Sequence, residues 1–151
     1  MNQVPARMRF LERTTLLEFV DTATVTISVG MRGLAEDVLH HDPTTPAELE
    51  RAIDLIEDAL AMSRLPIVDR GSLLIECPPL RTVPGFDDHG FGLERGAIEA
   101  LFQLLASRAH GTPIATAELP HGRNIAGALL ILRECMHHLG FNHVGVLRSS
   151  G

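Results

Sequence analysis

The sequence has no lysine, tyrosine or tryptophan, and all thirteen of its basic residues are arginine. Each absence removes a chemistry. Without a lysine amine no Schiff base can form on a side chain, which excludes pyridoxal-phosphate enzymes and lysine-dependent aldolases. A P-loop nucleotidase needs its Walker A lysine, and there is none. No phenol is present to act as acid, base or nucleophile. Cysteine is scarce as well: Cys77 and Cys135 stand far apart and form no C-x-x-C pair, so dithiol redox and zinc-ribbon readings lack their signature. Both are expected to be reduced, buried, small hydrophobes, and nothing marks a Cys135–His nucleophile pair. No apolar run approaches the roughly 18 residues of a membrane span. Glu12, Arg13 and Glu18 interrupt any signal-peptide core near the N-terminus. The expectation is a cytoplasmic protein with no membrane partner.

What is present is a slightly apolar chain of 151 residues, 45% hydrophobic, with a formal charge of −6 and a mean hydropathy of +0.14. The length suits one globular domain spanning 1–151 with a core of its own. The apolar balance suggests that a subunit interface absorbs some surface, so a homodimer or higher oligomer is expected. The acid is concentrated in residues 34 to 69, where nine carboxylates face only Arg51 and Arg64. A net acidic chain without a basic cluster argues against nucleic acid as the main partner.

Periodicity then places the elements. Residues 22 to 29, TATVTISV, alternate strictly, with Ala23, Val25, Ile27 and Val29 on one side, as a half-buried strand requires. The preceding FLERTTLLEFVD reads as a helix or as a partner strand. Gly30, Arg32 and Gly33 open a short helix; such a turn can hold an anion on its amides, but ordinary strand-to-helix turns also use glycine. The clearest helix begins at Thr45, with Pro46 at its first position and Glu48 completing a capping box. Leu49, Ile53, Ile56 and Leu60, widened by Ala52, Leu55 and Ala59, form its apolar stripe, while Glu50, Asp54, Glu57 and Asp58 fall opposite as a solvated acidic face. IVDRGSLLIECPPL reads as a hairpin or two short strands, turning near Asp69 and Gly71 and stopped by Pro78 and Pro79. A long glycine-bearing loop follows, in which Asp87, Asp88 and His89 are ligand candidates or plain turn residues. A second helix carries Ile98, Leu101, Phe102, Leu105 and Ala109 on one face and stops at Gly111.

The last helix, from about Asn124 to Leu139 and capped by Gly140, leads into a short strand from His143. Ile125, Leu129, Leu132, Met136 and Leu139 form its stripe, which leaves Arg133, Glu134, His137 and His138 on the other side. Glu134 reaches His137 at i+3 and His138 at i+4. Glu-x-x-His is half of a di-iron carboxylate motif, and zinc would accept Glu134, His137 or His138 with a third ligand from His143, His121 or His89. No second Glu-x-x-His falls on an expected helix (Glu118 and His121 flank Pro120 in a connection) and no H-E-x-x-H is present, so the preferred reading is a solvated helix end with no metal and no cofactor. Leu130, lodged between His137 and Glu134 on the wheel, hints that another element or a second subunit covers this side.

The order of elements implies an α+β fold, with three or four helices on one face of a small mixed or antiparallel sheet. Two functions fit. The first is a non-catalytic binding or interaction domain whose small-molecule ligand is unknown. The alternative is a metal-dependent hydrolase using Glu134, His137, His138 and His143.

Overall fold

The computed structural model describes residues 6–19, 24–66, 68, 70–86, 92–115 and 118–147. The chain starts with a meander of β1 (Ala6–Phe10), β2 (Thr15–Glu18) and β3 (Val25–Ile27). The short helix α1 (Met31–Asp37) and the long helix α2 (Pro46–Ser63) follow. Next come β4 (Gly71–Glu76), a 3-10 turn over Pro78–Thr82 and the two-residue strand β5 (Leu93–Glu94). Helix α3 (Arg95–Ala109), helix α4 (Arg123–Leu139) and β6 (Phe141–Val146) complete the chain. The fold is α+β, with four helices and a mixed six-stranded sheet in the order β3-β2-β1-β4-β6-β5. β1, β4 and β6 run parallel at its centre, and β2, β3 and β5 are antiparallel additions.

Alternation decides which face is covered. Ala6, Met8, Leu17, Ile27, Leu73, Ile75 and Val144 are buried on one side, beneath the helices, whereas Arg7, Arg9, Thr26 and Glu76 on the other side are exposed. Cross-strand register keeps these faces aligned: Met8 stands opposite Leu17 and Ile75, and Arg7 opposite Glu18 and Leu74. The ambiguous segment before β3 is therefore its partner strand. Thr15 holds the turn back to the sheet, its hydroxyl donating to the Val29 carbonyl at 2.8 Å.

The expected hairpin over residues 67 to 80 is replaced by a single strand. β4 has parallel partners on both sides, β1 and β6, so no position beside it remains for a hairpin arm. Ile67 and Asp69, in the first arm of that expectation, lie outside the described residues.

Helix α2 follows its local code. Thr45 accepts from the Glu48 amide at 3.2 Å, and Glu48 accepts from the Thr45 amide at 2.9 Å. Leu49, Ala52, Ile56 and Leu60 are buried; Leu55, expected to widen the stripe, is 41% exposed. The helix ends at Arg64, which takes the left-handed conformation (φ 58°) before Pro66 is reached.

α4 departs from the surface-helix reading. It packs against α1, α2, α3, the 3-10 turn and β6 at once, and its residues from Ala126 to Leu132 are all buried. Gly127 permits the crossing with α1, since a Cβ there would sit 3.1 Å from the Met31 carbonyl oxygen. Leu130 is fully buried by its own chain, so it needs no second subunit to cover it. Among the described residues no helix is long and apolar enough to cross a membrane.

Candidate functional site

Two polar regions stand out, and the first is the α4 cluster. Glu134 is 2% exposed rather than solvated, because α2 and α3 close over the side of α4 that carries it. Its two oxygens are both engaged: Arg133 Nη1 donates to Oε1 at 2.7 Å, and His138 Nε2 lies 3.1 Å from Oε2. Arg133 also donates to Glu99 on α3, through Nε at 2.8 Å, and stacks over the Phe102 ring at 3.8 Å. The hydrogen bonds from Arg133 hold the Glu99 carboxyl below its usual range. Burial alone would lower the Arg133 guanidinium, but its bonds to Glu99 and the charge of Glu134 outweigh that and raise it.

This settles where the sequence candidates go. Glu134 and His138 meet, and the third group beside them is Glu57 of α2, 3.6 Å from His138 Nε2. One ligand atom from each of the three lies within 4.8 Å of the others. Glu57 had been assigned to a solvated acidic face, and no local pattern distinguishes it from Glu50 or Asp54. His137 is exposed and only edges the His138 ring, at 5.1 Å between centroids. His143 sits in β6 opposite Ser72 and Glu94, with its ring against Gly92. The four-residue set Glu134, His137, His138 and His143 does not assemble. Asp87, Asp88 and His89 lie outside the described residues. His121 pairs instead with Asp42, at 3.2 Å.

The second region is the edge where β1, β3, β4 and β6 all end. Crevices beyond the carboxyl ends of parallel strands are where open α/β sheets bind ligands. The β1–β2 turn carries Glu12 and Arg13 to this edge, and α1 begins beside it. Gly30 lets them touch: a Cβ there would fall 2.4 Å from the Arg13 backbone. Arg32 binds Glu12 and Glu36, both at 2.8 Å, while Arg13 binds Glu36 at 2.7 Å and Asp37 at 3.0 Å. The hydrogen bond to Glu36 is the largest of the contacts that raise the Arg32 guanidinium. Beyond β4 the 3-10 turn brings Thr82 and Arg81 to the same edge. An open groove runs there between Ala35, Pro79, Thr82 and the start of α4 at Gly122, Arg123 and Asn124. Arg123 is anchored by a hydrogen bond to the Ala35 carbonyl, at 3.0 Å. The sequence hinted at this region only through Gly30, Arg32 and Gly33.

Neither thiol supplies a nucleophile. Burial pushes Cys77 up to about 11 and Cys135 up to about 12, so both stay protonated near neutral pH.

A mixed sheet with a three-stranded antiparallel edge, parallel central strands and helices on one face defines the fold class of this chain. The chain is similar in structure to the Aquifex aeolicus PPX-GPPA enzyme, with a TM-score of 0.65 at 16% identity over 93% of this chain and 52% of that one. The type II variant of the Aquifex aeolicus Ppx/GppA phosphatase gives 0.66 at 14% identity, over 97% and 54%. An exopolyphosphatase from Cytophaga hutchinsonii gives 0.64 at 14% identity, over 96% and 53%. The chain thus spans about half the length of these enzymes. No family model and no curated protein matches the sequence. The structural likeness overturns the expected non-catalytic binding role. It overturns equally the alternative of a metal hydrolase on α4, because the shared fold is that of Ppx/GppA phosphatases.

Proposed function

We propose that the chain is one lobe of a phosphatase of the Ppx/GppA type, acting in the cytoplasm on the terminal phosphate of a polyphosphate chain. The likeness of nearly the whole chain to about half of each such enzyme carries this reading. The carboxyl edge suits the chemistry. Phosphoryl transfer is catalysed mainly by positioning and by cations that match the spreading negative charge. Arg13, Arg32 and Arg123 supply fixed guanidinium groups, which bind phosphoryl oxygens in pairs. Glu12, Glu36 and Asp37, the present partners of Arg13 and Arg32, are exposed enough to exchange for phosphate, while Arg123 donates to the Ala35 carbonyl. Glu12 is the carboxylate on the β1–β2 turn at this edge, paired with Arg32. A cytoplasmic setting agrees with two unpaired, buried cysteines.

The test is direct. The purified chain is titrated with polyphosphate and assayed for orthophosphate release in magnesium buffer. Arg13→Gln and Arg32→Gln should each weaken polyphosphate binding by about tenfold, the value of one lost charge-assisted bond. Absence of both binding and release would leave the likeness a matter of fold alone.

A further inference from the structure

Where α2 packs against the last turns of α4, two elements bring three metal-ligating groups to one point. Glu134 and His138 stand one turn apart on α4, and Glu57 comes from α2. His138 Nε2 lies 3.1 Å from Glu134 Oε2 and 3.6 Å from Glu57 Oε1. One ligand atom from each residue lies within 4.8 Å of the other two. Zinc binds carboxylate oxygen and imidazole nitrogen at about 2.0–2.2 Å, which puts neighbouring donors of a tetrahedron roughly 3.3–3.6 Å apart. The three atoms are thus spaced close to what one ion requires. Among the described residues no other group of three His, Cys, Asp or Glu donors converges in this way.

Hydrogen bonding leaves the cluster incomplete. His138 Nε2 carries at most one proton, yet it faces two carboxylates. Glu57 has no other ion-pair partner among the described residues. Glu134, 2% exposed, cannot turn to bulk water instead. Its other oxygen is fixed by Arg133 Nη1 at 2.7 Å, and Arg133 is fixed in turn by Glu99 and Phe102. Ligating carboxylates are held by outer bonds of this kind, which aim the free oxygen. Charge points the same way. Glu57, Glu99 and Glu134 against Arg133 leave two negative charges beside a neutral imidazole. A proton on His138 removes one of them, and a divalent ion removes both.

We propose that Glu57, Glu134 and His138 bind a divalent transition ion, zinc first, that ties α2 to α4. The imidazole favours zinc and its neighbours over calcium and magnesium, which take about six or more oxygens. Glu57 is exposed and His138 half-buried, so water completes the coordination. The ion therefore exchanges, unlike one in a closed four-ligand structural site. His138 is fifteen positions after Arg123, roughly 22 Å along the helix axis from the carboxyl edge. At that distance the ion acts as a staple between helices and not as a catalyst. The inference does not rest on the phosphatase reading.

The experiment uses the full chain without a histidine tag, stripped with a chelator, dialysed and titrated with zinc chloride by calorimetry. The melting temperature is followed with zinc and again after chelator is added. One zinc per chain, with a rise in melting temperature that chelator reverses, supports the site. Glu57→Gln and His138→Gln should each weaken zinc binding by at least about tenfold, since losing a group that merely holds a ligand costs about 10–100-fold. His41→Gln and His137→Gln control for zinc gathered by exposed histidines, and should bind as the parent chain does. Circular dichroism of each metal-free variant keeps a folding defect apart from a lost ligand. No saturable binding by the parent chain, or equal binding by the parent, Glu57→Gln and His138→Gln, would mean that His138 only bridges two carboxylates, and would overturn the proposal. Loss of binding in His41→Gln or His137→Gln alone would overturn it as well. Zinc binding is read without polyphosphate, so failure of the phosphatase reading leaves this result untouched.

Discussion

Helices α2 and α4 have similar lengths, a left-handed residue at the C-cap and an apolar stripe of the same period, yet only α2 behaves as that pattern implies. α2 lies at the surface, so its capping box forms and its acidic residues Glu50, Asp54 and Glu57 are exposed. α4 has neighbours on every side. Opposite its stripe Leu130 and Glu134 are nearly as inaccessible as Leu129, Arg133 and His138 are half-buried, and only His137 is exposed. An amphipathic pattern reports which side of a helix is most apolar. It does not report whether the other side meets water. Where that side is covered, its polar groups must find partners, and Glu134 finds two.

The comparison can be broken most sharply at the apolar positions. Leu130→Ala, on the nominally polar side of α4, should cost about 2–5 kcal/mol, as should Ile56→Ala in the stripe of α2. Leu55→Ala, in that same α2 stripe but 41% exposed, should stay within about 0.5 kcal/mol. Denaturant midpoints measure all three, and a neutral Leu130→Ala would return α4 to the surface. The carboxylates come next. Glu134→Ala leaves Arg133 and His138 short of a partner in a covered site and should cost about 1–3 kcal/mol. Asp54→Ala, one face of α2 away, should be nearly silent by the same assay. Thr45→Ala removes the cap of α2 at a cost of about 0.5–2 kcal/mol. No change at α4 is equivalent, since its N-cap, Gly122, has no side chain to lose.

A pH dependence tests the capping box of α2 from another side. Burial would raise the Glu48 carboxyl, but amide hydrogen bonds from Thr45 and His40 and the contact with His41 outweigh it and hold it at about 2. A carboxyl lowered by folding stabilises above its ordinary range and loses that contribution as pH falls. Stability should therefore decline between about pH 4.5 and pH 2, and Glu48→Gln should flatten that part of the curve in acid titrations of melting temperature. An unchanged curve would place Glu48 outside the capping box in solution.

The candidate sites divide along the same line. Glu134 and His138 were legible as neighbours because i and i+4 are adjacent on any helix. Glu57 was not legible, since it arrives from another helix 77 positions earlier in the chain. His143 looked like a member by proximity in sequence, but the turn at Gly140 sends β6 back into the sheet and takes the histidine away. The carboxyl-edge region was almost invisible: Arg13, Arg32 and Arg123 sit in unremarkable turns and helix starts, and only sheet topology brings those turns to one edge.

By itself the sequence determined the local elements: the alternating strand around Val25 and Ile27, the capping box at Thr45, the α3 stripe, the stop at Gly140 and the α+β class. These depend on interactions within about four residues, which any short window displays. The tertiary structure alone decided that β4 runs parallel between β1 and β6, that α4 is central, and that Arg108 is buried with no carboxylate partner among the described residues. Burial is a property of what packs against a residue from elsewhere in the chain, and no periodicity along one element encodes the arrival of another.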